Sequence, residues 1–466
     1  MTNSHFDAVF APGSADIICK YGLSLDFYAQ AKPWLDAQEG RRLFWIENCP
    51  QRFAQYNEQL LQDSRVQIFY VETLLDQELA MQKIAWLSVY KKLEILDPAW
   101  KLRLETKYLA AQLLAADAAD FGLSVARHAR ANFRKPMRRF SDVRGRMKGV
   151  PAVVIGAGPS LEKNGHLLEA WQDKALLITA GSAIHSVKTR PSLAVMLDPH
   201  QSIGKIPYAG VPFCIQGRTH PKTRTCTSGG VLYFADSHFA FEPWLSEGEL
   251  LNTGWTVGNG AVAVALELGC NPIILVGMDY CYLAGQKYAW KQGGGDRPLV
   301  TSVNALGEKV ETQSDWLMAV HWMEEISAAH PEVTFINATA GGMKIEGLFQ
   351  TGELLTPPEN PGVNAKWQQV IQQAPVIKLS KDRMESWMKS LAACRWNLLE
   401  EEWNPPLIGD MARELLLEPL WNIWGSVFER ELMTDTQPIP LSDKLALQKR
   451  LFFNRVIAEH LQVYNG

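Results

Sequence analysis

Glycines and small polar residues recur at the ends of apolar runs in the middle of this chain, and turns of that composition hold anions. The first is Val153-Val-Ile-Gly-Ala-Gly-Pro-Ser-Leu161. Glycine at positions 156 and 158 lets the backbone turn sharply and approach a ligand without a Cβ. Pro159 suits a first helical turn, where its missing N–H costs nothing. Ser160 can donate to a phosphate oxygen, and the N–H groups and dipole of a helix start favour an anion there. No Gly-Lys-Ser/Thr follows, so this is not the ATPase P-loop, and the third glycine of the dinucleotide fingerprint is lacking, with Asn164 at a place where the helix continues. Two readings remain: a nucleotide phosphate cradle, which is preferred, or a tight strand-to-helix turn without a ligand.

Companion turns follow in order. Thr179-Ala-Gly-Ser-Ala183 puts Gly181 and Ser182 beside the first loop if their strands are neighbours. Leu197-Asp-Pro-His200 places Asp198 at a strand end, to bind a ribose hydroxyl or a metal, or else to cap a turn. Thr253 to Gly260 brings Gly258 and Asn259 to a helix start, a second place for an anion or a base. Ile273-Ile-Leu-Val-Gly-Met-Asp-Tyr280 ends a fully apolar run in Asp279, the best candidate for an acid in the cleft. Tyr280 and Tyr282 follow and can donate through their hydroxyls, though packing explains them almost as well. Leu283 to Glu311, with Gly293-Gly-Gly295, Lys287, Lys291 and Arg297, reads as a long lid or binding loop. Thr312-Gln-Ser-Asp315 reads as a helix cap. His185, His200 and His321 read as ordinary surface or core residues, and no Ser-His-Asp or Cys-His constellation can be assembled.

The elements that must position these groups alternate strand and helix over about 200 residues, as a doubly wound fold requires. Strands that are apolar throughout point to a parallel sheet covered on both faces. The expected class is α/β, with a Rossmann-like central domain over residues 136–350. An N-terminal α/β and helical domain is expected over 1–135, where Leu43–Glu47 and Val66–Glu72 flank a helix and therefore run parallel. Their terminal glutamates, Glu47 and Glu72, read as solvated strand ends. A helical C-terminal domain is expected over 351–466. Between the first two lies a basic connector from Arg130 to Lys148, read as a solvated linker or, less favoured, as a source of positive potential for the phosphate site.

Bulk composition narrows the partners. With 47% apolar and 21% charged residues and a net charge of −4, the chain is ordinary globular protein without the basic footprint of a nucleic-acid binder. Seven cysteines show no CxxC spacing, which fits a reducing cytoplasm rather than a disulfide framework or a zinc site. The N-terminus lacks a secretory pattern, and the most apolar stretch, Ala261 to Met278, is broken by Glu267, Asn271 and a turn. A soluble, cytoplasmic protein without a transmembrane segment is expected.

Taken in order, Val-Ile-Gly-Ala-Gly-Pro-Ser-Leu, Thr-Ala-Gly-Ser-Ala, Leu-Asp-Pro, Val-Gly-Asn-Gly, Val-Gly-Met-Asp and Asn-Ala-Thr-Ala-Gly-Gly-Met-Lys-Ile-Glu-Gly resemble the motility-associated-factor (Maf) glycosyltransferases. That family carries the 6-hydroxymethylpterin diphosphokinase MptE-like domain. The resemblance is specific from Pro151 to Leu348 and looser on either side. It implies transfer of a nonulosonic, sialic-acid-like sugar from a CMP donor to Ser or Thr of a protein such as flagellin, with no cofactor required. The alternative it implies is a magnesium-dependent diphosphokinase, with Asp198 and Asp279 as magnesium ligands. A third reading is a nucleotide-binding adaptor without turnover. The Gly-Pro-Ser and Gly-Met-Asp-Tyr motifs are also similar to those of bacterial sialyltransferases, whose histidine base precedes the corresponding helix. Here Glu311 and Thr312 stand in that place, so the base is assigned provisionally to Glu311 or Asp279.

Overall fold

Strands without a polar face must be covered from both sides, and the central part of the chain builds that arrangement. The computed structural model describes residues 13–200, 202–236, 241–246, 250–289, 291–292, 299–377, 380–396, 406–433 and 437–465. Nine strands lie in the order Phe349–Gln350, Phe335–Asn337, Ile273–Val276, Ala152–Ile155, Leu176–Ala180, Leu193–Met196, Phe213–Ile215, Val231–Tyr233 and Arg138–Arg139. Every pairing among them is parallel. Alternate residues enter opposite layers. Val153 and Ile155 pack with Leu161, Trp171, Leu177 and Val276, whereas Ala152 and Val154 pack with Ile178, Leu275 and the helix Val257–Glu267. That helix is apolar all round and buried from Gly258 to Ala265, as a helix lying inside a covered sheet must be. The class is α/β and Rossmann-like.

The chain divides into two compact units. The larger comprises Phe121–Arg395, Asn404–Leu416 and Val456–Gly466, and contains the nine-stranded sheet. The smaller comprises Met1–Asp120, Trp396–Trp403 and Leu417–Arg455. The stretch read as a separate C-terminal helical domain is therefore shared between the two. Within the smaller unit a parallel sheet runs Val66–Tyr70, Arg42–Glu47, Ile17–Tyr21, Leu93–Ile95. The parallel unit read from sequence is present, extended by Ile17–Tyr21 and the three-residue Leu93–Ile95. Glu47 is not a solvated strand end: it is fully buried and accepts from the N–H groups of Leu23 and Cys49 and from Arg52.

Several local expectations are corrected. The helix start expected at Pro159 leads not into one helix but into Leu161–Asn164, a 3-10 turn at Gly165–Leu167, and Leu168–Trp171. The basic connector is no linker. Arg138–Arg139 forms the far edge strand, and Phe140 and Val143 are buried in the core. Five strand spacings separate that edge from Ala152–Ile155, about 24 Å at 4.8 Å each. That exceeds the screening length in physiological salt, about 8 Å, so the edge strand's charge does not serve the Gly156 loop. The long loop after Leu283 is built instead of two hairpins, Gln286–Tyr288 with Lys291–Gln292 and Leu299–Val303 with Lys309–Gln313. Gly293-Gly-Gly295 and Arg297 lie outside the described residues, as does the side chain of Lys291. Among the described residues no single helix is long and apolar enough to cross a membrane.

Candidate functional site

Ala152–Ile155 and Ile273–Val276 are neighbours from which the chain departs in opposite directions across the sheet. Such a switch point opens a crevice at the carboxyl ends of the strands, where ligands of open α/β sheets bind. Here the two loops close on each other. Gly156 N–H donates to Val276 O at 2.8 Å and Gly158 N–H to Gly277 O at 2.9 Å, so the ladder continues past the strand ends. A Cβ on Gly156 would lie 2.3 Å from Gly277 O, and one on Gly158 would lie 2.5 Å from Asp279 Oδ2. Glycine is required at both positions, but for packing between loops.

Asp279 ends this contact. Its Oδ2 accepts the Ser160 N–H at 2.9 Å and its Oδ1 accepts the Ser160 hydroxyl. Ser160 is 1% exposed and Asp279 3%. Burial pushes the Asp279 carboxyl up to about 6, against the opposing pull of the two bonds from Ser160 and the charge of Lys163. The next three N–H groups, of Leu161, Glu162 and Lys163, donate to Gly158, Pro159 and Ser160 carbonyls. The expected phosphate cradle therefore holds a carboxylate of its own chain. The carboxylate that meets this helix start is Asp279. Two residues expected to act on a ligand are instead each other's partners.

Gly258 and Asn259 are also turned inward. Thr256 caps the helix Val257–Glu267 by accepting from Asn259 N–H. Asn259 is fully buried, with its side chain bonded to Thr256, Tyr280 and the Ala319 carbonyl. A Cβ on Gly258 would meet Met278 Cε at 2.4 Å. The Tyr280 backbone carbonyl accepts from the Thr312 hydroxyl, so Thr312 holds a strand in place and is not a helix cap. The helix begins at Ser314 instead, after Gln313, whose side chain donates to the Tyr282 hydroxyl.

What stays open lies beside the closed crossing. Gly181, at φ +54°, starts a short 3-10 turn with Ser182, and both are partly exposed. Asp198 is exposed one strand further on, with its carboxylate turned back to the His200 N–H and its carbonyl accepting from His220 N–H. Over this edge runs Gln286–Ala289. It starts from a two-residue turn with positive φ at both Ala284 and Gly285, the geometry of a tight hairpin. It is tied down where Ala289 N–H donates to Ala157 O at 3.0 Å.

Aromatic rings gather there. Tyr282 packs on Trp316 at 5.2 Å, and Lys287 Nζ sits 5.3 Å from the Trp316 ring and 5.5 Å from that of Tyr288. Burial raises the Tyr288 hydroxyl's pKa, helped by the charges of Asp198 and Asp315 and by Tyr282. Four separate segments thus meet in one place, with rings to stack on, a cation and a carboxylate. Tyr288 and Trp316 were not singled out in the sequence. The available signal was the density of aromatics from Tyr280 onward in a segment lacking helical or strand periodicity.

Glu311 is exposed on the hairpin strand Lys309–Gln313, where its carbonyl accepts from Tyr282 N–H at 2.8 Å. It borders an open hollow with Tyr282, Asn304 and Lys309. Pro159 is partly exposed at the outer bend of the first loop. His185 bonds the Ile203 carbonyl, and His321 stands on an exposed helical face between Glu324 and Glu325.

Residues 127–285 match the family described as 6-hydroxymethylpterin diphosphokinase MptE-like. Among solved structures the chain is similar to the Maf glycosyltransferase from Magnetospirillum magneticum AMB-1, at 16% identity and a TM-score of 0.58. That likeness covers 96% of this chain and 79% of the other, so it extends over both units' sequence and not only over the matched domain. No curated protein sequence matches. The match to the MptE-like model over 127–285 and the fold shared with a Maf glycosyltransferase agree with the resemblance of the ordered motifs.

Proposed function

We propose that this protein is a cytoplasmic glycosyltransferase that moves a nonulosonic sugar from a CMP donor to a Ser or Thr hydroxyl of a protein acceptor such as flagellin. The observation that carries the reading is the cluster of Tyr282, Trp316, Tyr288, Lys287 and Asp198 at the carboxyl edge beside the switch point. Rings offer a stacking face to a base or sugar, Lys287 offers positive charge to a phosphate or sugar carboxylate, and Gly181 and Ser182 border the same edge. Departure of CMP leaves negative charge on its phosphate, which a cation and hydroxyl donors in a partly dry site stabilise. The fold shared with a Maf glycosyltransferase along nearly the whole chain supports it.

The diphosphokinase alternative, which the MptE-like match favours, has Asp198 and Asp279 share a magnesium ion. Their strands are three steps apart in the sheet, about 14 Å at 4.8 Å per step. Magnesium holds its ligands at about 2.1 Å, and both Asp279 oxygens already accept from Ser160. That geometry argues for sugar transfer. Full-length protein is expected to be stabilised thermally by CMP in the presence of a chelator. A response confined to ATP with Mg²⁺ would transfer the assignment to the diphosphokinase, and silence to every nucleotide would leave the adaptor.

With Asp279 committed to Ser160, the proton of the acceptor hydroxyl falls to Glu311, exposed on the hairpin next to Tyr282. A positioned general base contributes at least about a hundredfold. Glu311→Gln is expected to lower kcat for CMP release with acceptor present by about that factor, with the donor KM unchanged. Full activity in the variant would place the base elsewhere.

A further inference from the structure

Thr179 is the last residue but one of the strand Leu176–Ala180 and is fully buried, yet its hydroxyl has no hydrogen-bond partner. A buried hydroxyl without a partner forfeits its bonds to water and gains nothing in return, so native structures rarely keep one without a use. Thr179 pairs in register with Ile155 and Ala194. Strand alternation puts it on the sheet face of Leu177, which packs with Ile155, Val276 and, at the margin, Ala289.

The Gln286–Ala289 segment lies next to that end of the strand, with Ala289 packed at the margin of the apolar cluster that holds Leu177 and Ile155. One of its ends is fixed to Ala157, which follows the neighbouring strand on one side. Tyr288 meanwhile senses the charge of Asp198, which follows the neighbouring strand on the other side. The segment therefore crosses over the strand that carries Thr179, Gly181 and Ser182. Its turn at Ala284 holds a non-glycine residue at φ +49°, a conformation an L side chain adopts only at a cost.

The geometry points to Thr179 as a ligand-binding residue, its hydroxyl bonding an oxygen of the donor's ribose or phosphate beneath a segment, Gln286–Ala289, that lifts to admit the nucleotide. This rests on the CMP-donor reading above. It also assigns the anion-holding work expected of Ser160 to the next strand over, where a hydroxyl remains uncommitted. Valine has threonine's shape without its hydroxyl, so it separates the two roles a buried threonine can have. If the hydroxyl serves only the ligand, Thr179→Val leaves the empty protein intact and weakens the complex.

The test uses full-length wild type, Thr179→Val and Thr179→Ser, with melting temperature and CMP affinity measured for each. We expect the ligand-free Thr179→Val protein to melt at or above the wild-type temperature. Its CMP Kd should rise about tenfold, the value of one hydrogen bond to an anionic ligand, while Thr179→Ser stays within about twofold because it keeps the hydroxyl. A ligand-free Thr179→Val protein that melts several degrees lower would overturn the inference, since the hydroxyl would then have an internal partner. Wild-type CMP affinity in Thr179→Val would overturn it too. Wild type that binds no CMP would remove the donor reading itself, and this inference with it.

Discussion

Gly156→Ala is expected to destabilise the larger unit by about 3–5 kcal/mol, as overpacking compounded by lost hydrogen bonds. The new Cβ would stand 2.3 Å from Gly277 O, 2.8 Å from Met278 Sδ and 2.9 Å from Gly277 C. Two of these three atoms are backbone, which cannot rotate away as a side-chain end can. Relief requires the loops to separate by about 1 Å to reach ordinary contact distance. That movement breaks the bonds of Gly156 N–H to Val276 and Gly158 N–H to Gly277. It also pulls Asp279 from Ser160, so the damage spreads along the whole crossing. Gly165→Ala is the matched control, because a Cβ there meets Leu161 at 3.8 Å, an ordinary contact. It should change stability by less than about 0.5 kcal/mol. Calorimetric melting of the two variants checks the contrast, and equal stability in both would show that the crossing yields more easily than its spacing indicates.

The second large effect concerns charge. The Asp279 carboxyl is pushed from an ordinary 3.8 up to about 6 by burial. Between those values the folded state holds the proton that the unfolded state has released. Folding stability must then fall as pH rises from 4 to 6 and stay level above that. The difference of about two pH units corresponds to about 3 kcal/mol carried as a cost at pH 7. Asn at 279 cannot ionise, yet its carbonyl can accept from Ser160 N–H and its amide can donate to the Ser160 hydroxyl. Asp279→Asn is therefore expected to be more stable than wild type at pH 7 by up to about 3 kcal/mol, with the two curves meeting near pH 4. Asp279→Ala lacks both bonds and should be weaker than wild type at pH 4. Denaturant unfolding across this pH range decides it. Parallel curves for wild type and Asp279→Asn would mean that the carboxylate is hydrated rather than sealed against Ser160.

Both predictions arise where local signals were legible and their partners were not. Apolar runs ending in glycine or aspartate were enough to place the strands Ala152–Ile155, Leu176–Ala180, Leu193–Met196 and Ile273–Val276 and to imply a parallel doubly wound sheet. The reason is physical: a strand covered on both faces has no polar residues to obscure its pattern. Some strands were not legible. Leu93–Ile95 spans three residues, and Arg138–Arg139 is two arginines whose pairing with Val231–Tyr233 only the folded sheet reveals. The hairpin Leu299–Val303 with Lys309–Gln313 escaped because its residues are mostly exposed and polar, with no buried face to impose alternation.

The loop from Gly156 to Leu161 divides along the same line. Sequence alone determined that the backbone must turn without Cβ atoms there, and that the helix start would draw an anion, since both follow from residue types and their order. Which anion it draws depends on what the sheet brings alongside, and only parallel pairing of Ala152–Ile155 with Ile273–Val276 sets Asp279 against Ser160, 119 positions away. The same is true of Tyr288, Trp316 and Asp198, which no spacing in the chain relates: a separate hairpin strand, a helix start and the end of a central strand bring them together. Glycine spacing is a local property of the backbone. Occupancy of the space it leaves is decided at long range by strand order, and here that order fills the first loop with Asp279.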